Sequence, residues 1–109
     1  MSDSATLPII EKIYQVYKPL CVINTKLEKA HRYSLGSETE RATLEVLELL
    51  VTASFAPKPH KGPYLIKAQA KLEVLRLQLR LYLKLKLANE TKLFQIQSHL
   101  QEAGRMLDG

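Results

Sequence analysis

The chain has 109 residues, of which 46% are hydrophobic and 25% are charged, and its formal net charge is +5. This composition is typical of one folded domain, residues 1–109, and excludes a disordered chain. No uncharged apolar stretch reaches the roughly 18 residues that a membrane-spanning helix needs, and the opening MSDSATLP shows no secretory signal. Cys21 is the one cysteine, so an internal disulfide is excluded and a reducing, cytoplasmic location is expected.

The first predicted helix covers residues 7–27 and opens with Pro8, a residue favoured at the first helical position. Its apolar residues recur every three or four positions; they are Ile9, Ile10, Ile13, Tyr14, Tyr17, Leu20 and Cys21. Pro19 lies inside this helix. Because proline cannot donate a hydrogen bond to the Gln15 carbonyl, a kink is expected there.

A connector over residues 28–36 leads to the second predicted helix, residues 37–55. Ser37 and Glu40 have the spacing of a capping box, which predicts where this helix begins. The sequence APKPHKGP predicts where it ends.

The third and fourth helices are predicted over residues 63–87 and 90–107, with Asn89 in the turn between them. No segment alternates in the way that a strand requires. Four helices on short connections predict an all-α, up-and-down four-helix bundle.

The positive charge is concentrated on the third helix and its flanking turns. Residues 58–92 contain nine Lys and Arg against two acidic residues, a local net charge of +7, whereas residues 1–57 and 93–109 each carry −1. On a helical projection Arg80 and Lys84 follow Arg76 at about 40° and 80°, with Gln69 and Glu73 at angles between them, so these residues form one polar, mainly basic ridge. No acidic residue follows any of the three cations four positions later, so their mutual repulsion favours a bound anion. The alternative is a solvated basic face that only maintains solubility.

Two apolar ridges flank this basic ridge on the third helix. One consists of Leu72, Leu75, Leu79 and Leu83, and the other of Val74, Leu77, Leu81 and Leu85. One bundle core covers only one ridge well, and each wet leucine forgoes roughly 1.5–3 kcal/mol of burial. We therefore expect a homo-oligomer in which a neighbouring subunit covers the second ridge. The alternative is that loops or terminal residues cover it.

Five sequence elements together resemble one known family. They are HRYSLG at 31–36, the glutamate-rich second helix, APK at 56–58, LRLQLR at 75–80 and EAGRML at 102–107. Their order and spacing are similar to those of the accessory variability determinant family, the small four-helix-bundle proteins of diversity-generating retroelements. Relatives of that family are encoded within intervening sequences of bacterial large-subunit ribosomal RNA genes. The resemblance covers about residues 7–109, and none of the five elements is specific alone.

The resemblance implies a homopentameric barrel of four-helix protomers. It also implies a non-catalytic accessory protein that binds nucleic acid (template RNA or its hybrid with cDNA) and the reverse transcriptase, and that supports mutagenic retrohoming. The Leu-Arg pattern of the third helix matches the family at Arg76 and Arg80, so these two are expected to contact the nucleic acid or the polymerase. Charge alone adds four residues to the predicted binding set: Lys84, Lys67, Lys71 and Arg32. Tyr33, beside Arg32, is an aromatic that could stack on a base.

Two other function classes compete with this expectation. The first is a protein-interaction bundle whose basic ridge meets an acidic partner, with no role for nucleic acid. The second is an enzyme, which is not expected because no nucleophile elbow, phosphate loop or set of paired carboxylates is present. His31, His60 and His99 fit no zinc spacing, and Cys21 falls on an apolar face, so neither a metal nor another cofactor is expected.

Overall fold

The computed structural model describes residues 3–108, and the side chains of residues 8–108. Within this range the chain forms four long helices: α1 (Asp3–Thr25), α2 (Ser37–Phe55), α3 (Lys61–Lys84) and α4 (Glu90–Asp108). None of the described residues lies in a strand. The predicted all-α fold is confirmed.

The four helices pack in a ring that follows their order in the chain. Each helix contacts the next, and α1 closes the ring by contacting α4. The later helices are joined by short connections, residues 56–60 and 85–89. Because the connections are short, consecutive helices run antiparallel. The chain is an up-and-down four-helix bundle in which α1 and α3 lie diagonally opposite each other.

The core lies on the axis of this ring, and every helix contributes one apolar stripe to it. Its main buried side chains are Ile13, Val16, Leu20, Val46, Leu50, Leu72, Leu75, Leu79, Leu93, Ile96 and Leu100. Each such side chain stabilises the folded state by roughly 1.5–3 kcal/mol relative to an exposed one. The three- and four-residue spacing of these positions explains why the sequence folds as helices with their apolar faces turned inward.

The connection between α1 and α2 differs from the predicted open connector. Lys29–His31 form a helical turn, and Arg32–Gly36 form a π-helical turn that runs directly into α2. Ser37 therefore follows helical backbone instead of starting the helix, and no side chain caps the N-terminus of α2. The capping-box interpretation is wrong, although α2 has the bounds that it predicted. The sequence contains no helix breaker between residues 29 and 35, which is why the chain stays helical there.

The other helices differ from their predicted bounds by a few residues. α1 begins before Pro8, continues through Pro19 and ends at Thr25 instead of residue 27. α3 begins two residues earlier than predicted and ends at Lys84 instead of residue 87. Met1, Ser2 and Gly109 lie outside the described residues. No helix within residues 3–108 combines the length and apolar character that crossing a bilayer requires.

A left-handed residue ends α3. Lys86 has a φ of 56°, and the Leu87 N–H donates to the Tyr82 carbonyl at 2.9 Å while the Lys86 N–H donates to the Leu83 carbonyl at 3.1 Å. These two bonds define a Schellman motif, in which glycine is the usual left-handed residue. Because lysine occupies this position, no glycine marks the end of the helix before Leu87.

A buried polar network joins α1, α2 and α3 at one end of the bundle. The Asn24 Nδ2 donates to Glu40 Oε2 at 2.8 Å and to the Gly36 carbonyl at 3.0 Å. The Tyr82 hydroxyl donates to Asn24 Oδ1 at 2.6 Å and lies 3.1 Å from Thr39 Oγ1. A Cβ on Gly36 would lie 3.2 Å from Asn24 Cγ, so glycine allows the π-helical turn to approach this side chain. The network fixes the C-terminal half of α3 against α1 and α2, and thereby sets which residues of α3 face outward.

Candidate functional site

The outward half of α3 carries the features that set this helix apart. Its inner stripe is buried and consists of Ala68, Leu72, Leu75, Leu79 and Tyr82. Two further stripes lie outside the core. We call them the apolar ridge (Val74, Leu77, Leu81 and Leu85) and the basic ridge (Arg76, Arg80 and Lys84).

The apolar ridge is only half covered by its own chain. Its four side chains are between 45% and 52% exposed. The prediction that the bundle core takes one leucine ridge of α3 and leaves the other is therefore confirmed; the buried ridge ends in Leu83, which is only partly buried. Among the described residues, no loop covers the apolar ridge. A contiguous exposed row of this kind is a common mark of an interaction surface.

The basic ridge borders the apolar ridge along the same helix. All three of its side chains are exposed. Arg76 forms an ion pair with Glu73, with Nη1 and Oε2 2.9 Å apart. Glu73 precedes Arg76 by three positions, so the charge of Arg76 is paired although no acidic residue follows it four positions later. Both side chains are more than half exposed, so the pair contributes at most about 1 kcal/mol.

Arg80 and Lys84 have no ion-pair partner among residues 8–108. Four residues of helix rise about 6 Å, so each cation of the ridge is displaced by about 6 Å from the one before it. Their charges are therefore close enough to repel each other in solvent and to be neutralised together by one extended polyanion.

Lys67 and Lys71 lie on a different side of α3 from the basic ridge. They line a groove of about 530 Å³ between α2 and α3, which Glu45 and Glu48 line from the α2 side. Lys71 Nζ is 3.0 Å from Glu45 Oε2, which leaves Lys67 without an ion pair among the described residues. The structure therefore separates these two predicted binding residues from Arg76, Arg80 and Lys84.

The side chain of Arg32 forms hydrogen bonds with backbone carbonyls at the C-terminal end of α1. Its Nη2 donates to the Thr25 carbonyl at 2.8 Å and to the Leu27 carbonyl at 3.1 Å. These carbonyls lie where α1 stops and need donors, so the guanidinium acts as a C-terminal cap. Tyr33 is exposed beside it. That Arg32 also contacts a polyanion stays a prediction, but its side chain already has a structural partner.

Three titratable groups, one buried and two partly buried, favour their neutral forms. Burial raises the pKa of the Cys21 thiol, which favours the protonated form over the reactive thiolate. A hydrogen bond to Cys21 and burial raise the pKa of Tyr17, and burial raises the pKa of Tyr82. Within the described part of the chain, no three His, Cys, Asp or Glu residues are grouped in a way that could hold a metal ion.

Sequence reasoning missed a second feature beside the basic ridge. Arg76 from α3 and a row of α4 side chains line a shallow cleft; the α4 residues are Phe94, Gln97, Ser98 and Gln101. These α4 positions have the spacing of one helix face, which is a signal that the sequence does contain. It was overlooked because only Phe94 in this row is apolar and the row lies outside the core stripe.

Comparisons with protein-family models, with curated proteins and with solved structures found no match.

Proposed function

We propose that this chain is a non-catalytic, nucleic-acid-binding accessory protein of a diversity-generating retroelement, which also binds the reverse transcriptase and supports mutagenic retrohoming. The observation that carries the proposal is the outer face of α3. It presents Arg80 and Lys84, which have no ion-pair partner among residues 8–108, directly beside the half-exposed apolar ridge. The order of the five sequence elements supports the assignment to this family. The outer face of α3 supports the assignment of the surfaces that such a protein needs for assembly and for nucleic acid.

The two ridges have separate roles in this proposal. The apolar ridge packs against a second copy of the chain, and the subunits close into a homopentameric barrel. The basic ridge then recurs once in each subunit, and binding by counterion release strengthens with every cation that meets a phosphate. Template RNA, or its hybrid with cDNA, is the expected ligand.

The first test is the mass of the protein by light-scattering chromatography, with and without a structured RNA, at a low and a moderate salt concentration. We expect a mass near that of five subunits and an RNA complex that dissociates as salt is raised. A protein that is monomeric and does not bind RNA at low salt would contradict both the proposed assembly and the proposed nucleic-acid binding.

The second test locates the binding surface. The slope of log affinity against log salt concentration is negative. Replacing Arg80 and Lys84 by glutamine is expected to make it shallower by about one unit per lost cation. The matched control replaces Lys18 and Lys26 by glutamine, because both are exposed and belong to the region of α1, diagonally across the bundle. If the control weakens RNA binding as much as the Arg80 and Lys84 variant, net charge and not the basic ridge is responsible.

A second candidate function is a protein-interaction module of the kind encoded in ribosomal intervening sequences. The groove between α2 and α3 favours it, because acidic residues line one wall and lysines the other around an apolar floor that includes Leu49, Tyr64 and Val74. Such a groove suits a helix of mixed charge better than a uniformly negative backbone. If the protein binds no nucleic acid at low salt, and its mass by light scattering is the same with and without RNA, this function is favoured over the first.

A further inference from the structure

The cleft between α3 and α4 combines four kinds of side chain, one of which belongs to the basic ridge. It encloses about 370 Å³ and is lined by one cation, one aromatic ring, two amides and a hydroxyl, which belong to Arg76, Phe94, Gln97, Gln101 and Ser98. Its volume is near the lower end of the range for small-ligand sites.

Hydrogen bonding holds the two walls of this cleft in register. The Gln97 Nε2 donates to the Arg76 carbonyl at 3.1 Å. A second bond connects α3 and α4 further along, where the Gln69 Nε2 donates to the Gly104 carbonyl at 3.3 Å. Since α3 and α4 are antiparallel, a position three residues before Gln97 faces the turn of α3 that carries Arg80. Phe94 therefore stands at the junction of the cleft and the basic ridge.

Phe94 is an exposed aromatic that the bundle does not use. It is 56% exposed, whereas its neighbour Leu93 is buried in the core. A single exposed ring is unremarkable by itself, but this ring is surrounded by groups that recognise nucleobases. An aromatic face stacks on any unpaired base, and amide side chains bond the base edges.

The amide of Gln97 belongs to the wall of the cleft and helps to hold α3 against α4. Its Oε1 is buried and has no hydrogen-bond partner, while its Nε2 is committed to the Arg76 carbonyl. A buried acceptor without a partner is uncommon in folded proteins. Because this oxygen is closed to solvent, the exposed amide of Gln101 and the exposed hydroxyl of Ser98 are the groups of the cleft that can bond the edge of a base.

We propose that this cleft binds one unpaired nucleobase of a single-stranded nucleic acid, stacked on Phe94, with the adjoining phosphates on Arg80 and Lys84. The inference rests on the proposed nucleic-acid function and adds a preference to it. Bases in a duplex are already stacked on each other and cannot reach the ring, so the cleft selects single strands or loops. Phosphate contacts alone would give no such preference.

The experiment compares Phe94→Leu with Phe94→Tyr, using fluorescence anisotropy of a labelled single-stranded uridine oligonucleotide and of a fully paired RNA duplex. Leucine keeps an apolar side chain but removes the ring, so we expect the affinity for the single strand to fall by about 5- to 100-fold. The affinity for the duplex should stay unchanged, and Phe94→Tyr should bind both ligands like the unmodified protein. Phe55→Leu is the matched control, because Phe55 is 85% exposed but lies at the turn between α2 and α3.

The possible results separate this inference from the function on which it rests. If the unmodified protein binds both ligands and Phe94→Leu binds the single strand equally well, the stacking site is overturned and the proposed function stands. An equal loss for both ligands, or a changed mass of the Phe94→Leu protein, also overturns it, because the ring would then support packing or assembly. If the unmodified protein binds neither ligand, both proposals fail.

Discussion

α3 and α4 pack side by side but use their apolar residues differently. α4 buries Leu93, Ile96, Leu100 and Ala103 on one stripe and leaves Phe94 as its one large exposed hydrophobic residue among the described positions. α3 buries a comparable stripe and exposes a second row of four, the apolar ridge. The fold of one chain therefore accounts for the apolar residues of α4 except Phe94, and for only half of those of α3. Hydrophobic residues in excess of what a bundle buries indicate a second surface.

The largest predicted effect separates a leucine on the buried side of α3 from a leucine on its exposed side. Leu79→Ala should lower the free energy of unfolding by about 2–5 kcal/mol, because it leaves a cavity in the core. Leu81→Ala should change it by less than about 0.5 kcal/mol in dilute protein, since Leu81 is half exposed. Urea unfolding at a series of protein concentrations measures both.

The concentration series adds a second distinction. If a neighbouring subunit covers the apolar ridge, the deficit of Leu81→Ala should grow as the protein concentration rises, whereas that of Leu79→Ala stays constant. A Leu81→Ala deficit that is large and independent of concentration would show that the ridge belongs to the core of the single chain.

The next largest effect concerns the polar anchor of α3, for which α4 has no equivalent. Tyr82→Phe should lower the free energy of unfolding by about 1–3 kcal/mol, because Asn24 Oδ1 loses its donor in a buried site. The control is Tyr33→Phe, which changes an exposed ring and should leave the stability unchanged. Urea unfolding at neutral pH gives both values, and equal stabilities would contradict a stabilising role of the network.

The same residue predicts a dependence on pH. Burial raises the pKa of Tyr82 above its ordinary value, so above a pH of about 10 the unfolded chain loses this proton before the folded chain does. The stability that Tyr82 contributes is thus complete below that pH and is lost as the pH rises through its folded-state pKa. Tyr17 and Cys21 shift in the same direction, so the quantity to measure is the difference in slope between the unmodified protein and Tyr82→Phe.

The smallest predicted effect sharpens the description of where α3 ends. Lys86→Gly should raise the free energy of unfolding by about 0.5–1 kcal/mol, because glycine adopts the left-handed conformation without the clash of a side chain. Lys67→Gly, in the exposed interior of the same helix, should instead lower it by about 1 kcal/mol. Thermal unfolding of the two variants measures both; a destabilising Lys86→Gly would contradict the Schellman assignment.

Much of the fold followed from local pattern, because helical spacing and helix breakers are local properties. They predicted the four helices, and the projection of α3 correctly divided its leucines into an inner and an outer row. The network of Asn24, Thr39 and Tyr82 could not be predicted in this way, since Asn24 and Tyr82 are 58 residues apart and each is unremarkable in its own segment.

The candidate site was predicted less completely. The basic ridge was visible because its members share one helix. Charge alone could not show that the guanidinium of Arg32 is occupied by carbonyls, or that Lys71 faces Glu45 across a groove. The cleft at Phe94 draws its residues from two helices, so its composition becomes apparent only when their register is known.

The close approach of Gly36 to Asn24 restricts how this sequence can diverge. Gly36 has ordinary right-handed helical dihedral angles, so backbone preference alone would favour alanine there by about 1 kcal/mol. A methyl group there would lie 3.2 Å from Asn24 Cγ, so the side chain of Asn24 would have to move by a few tenths of an ångström. The two positions are therefore coupled: the effect of a larger residue at position 36 depends on how far the side chain of Asn24 can move, and hydrogen bonds to Glu40 and Tyr82 hold that side chain in place. Neither residue need touch a ligand for selection to preserve the pair.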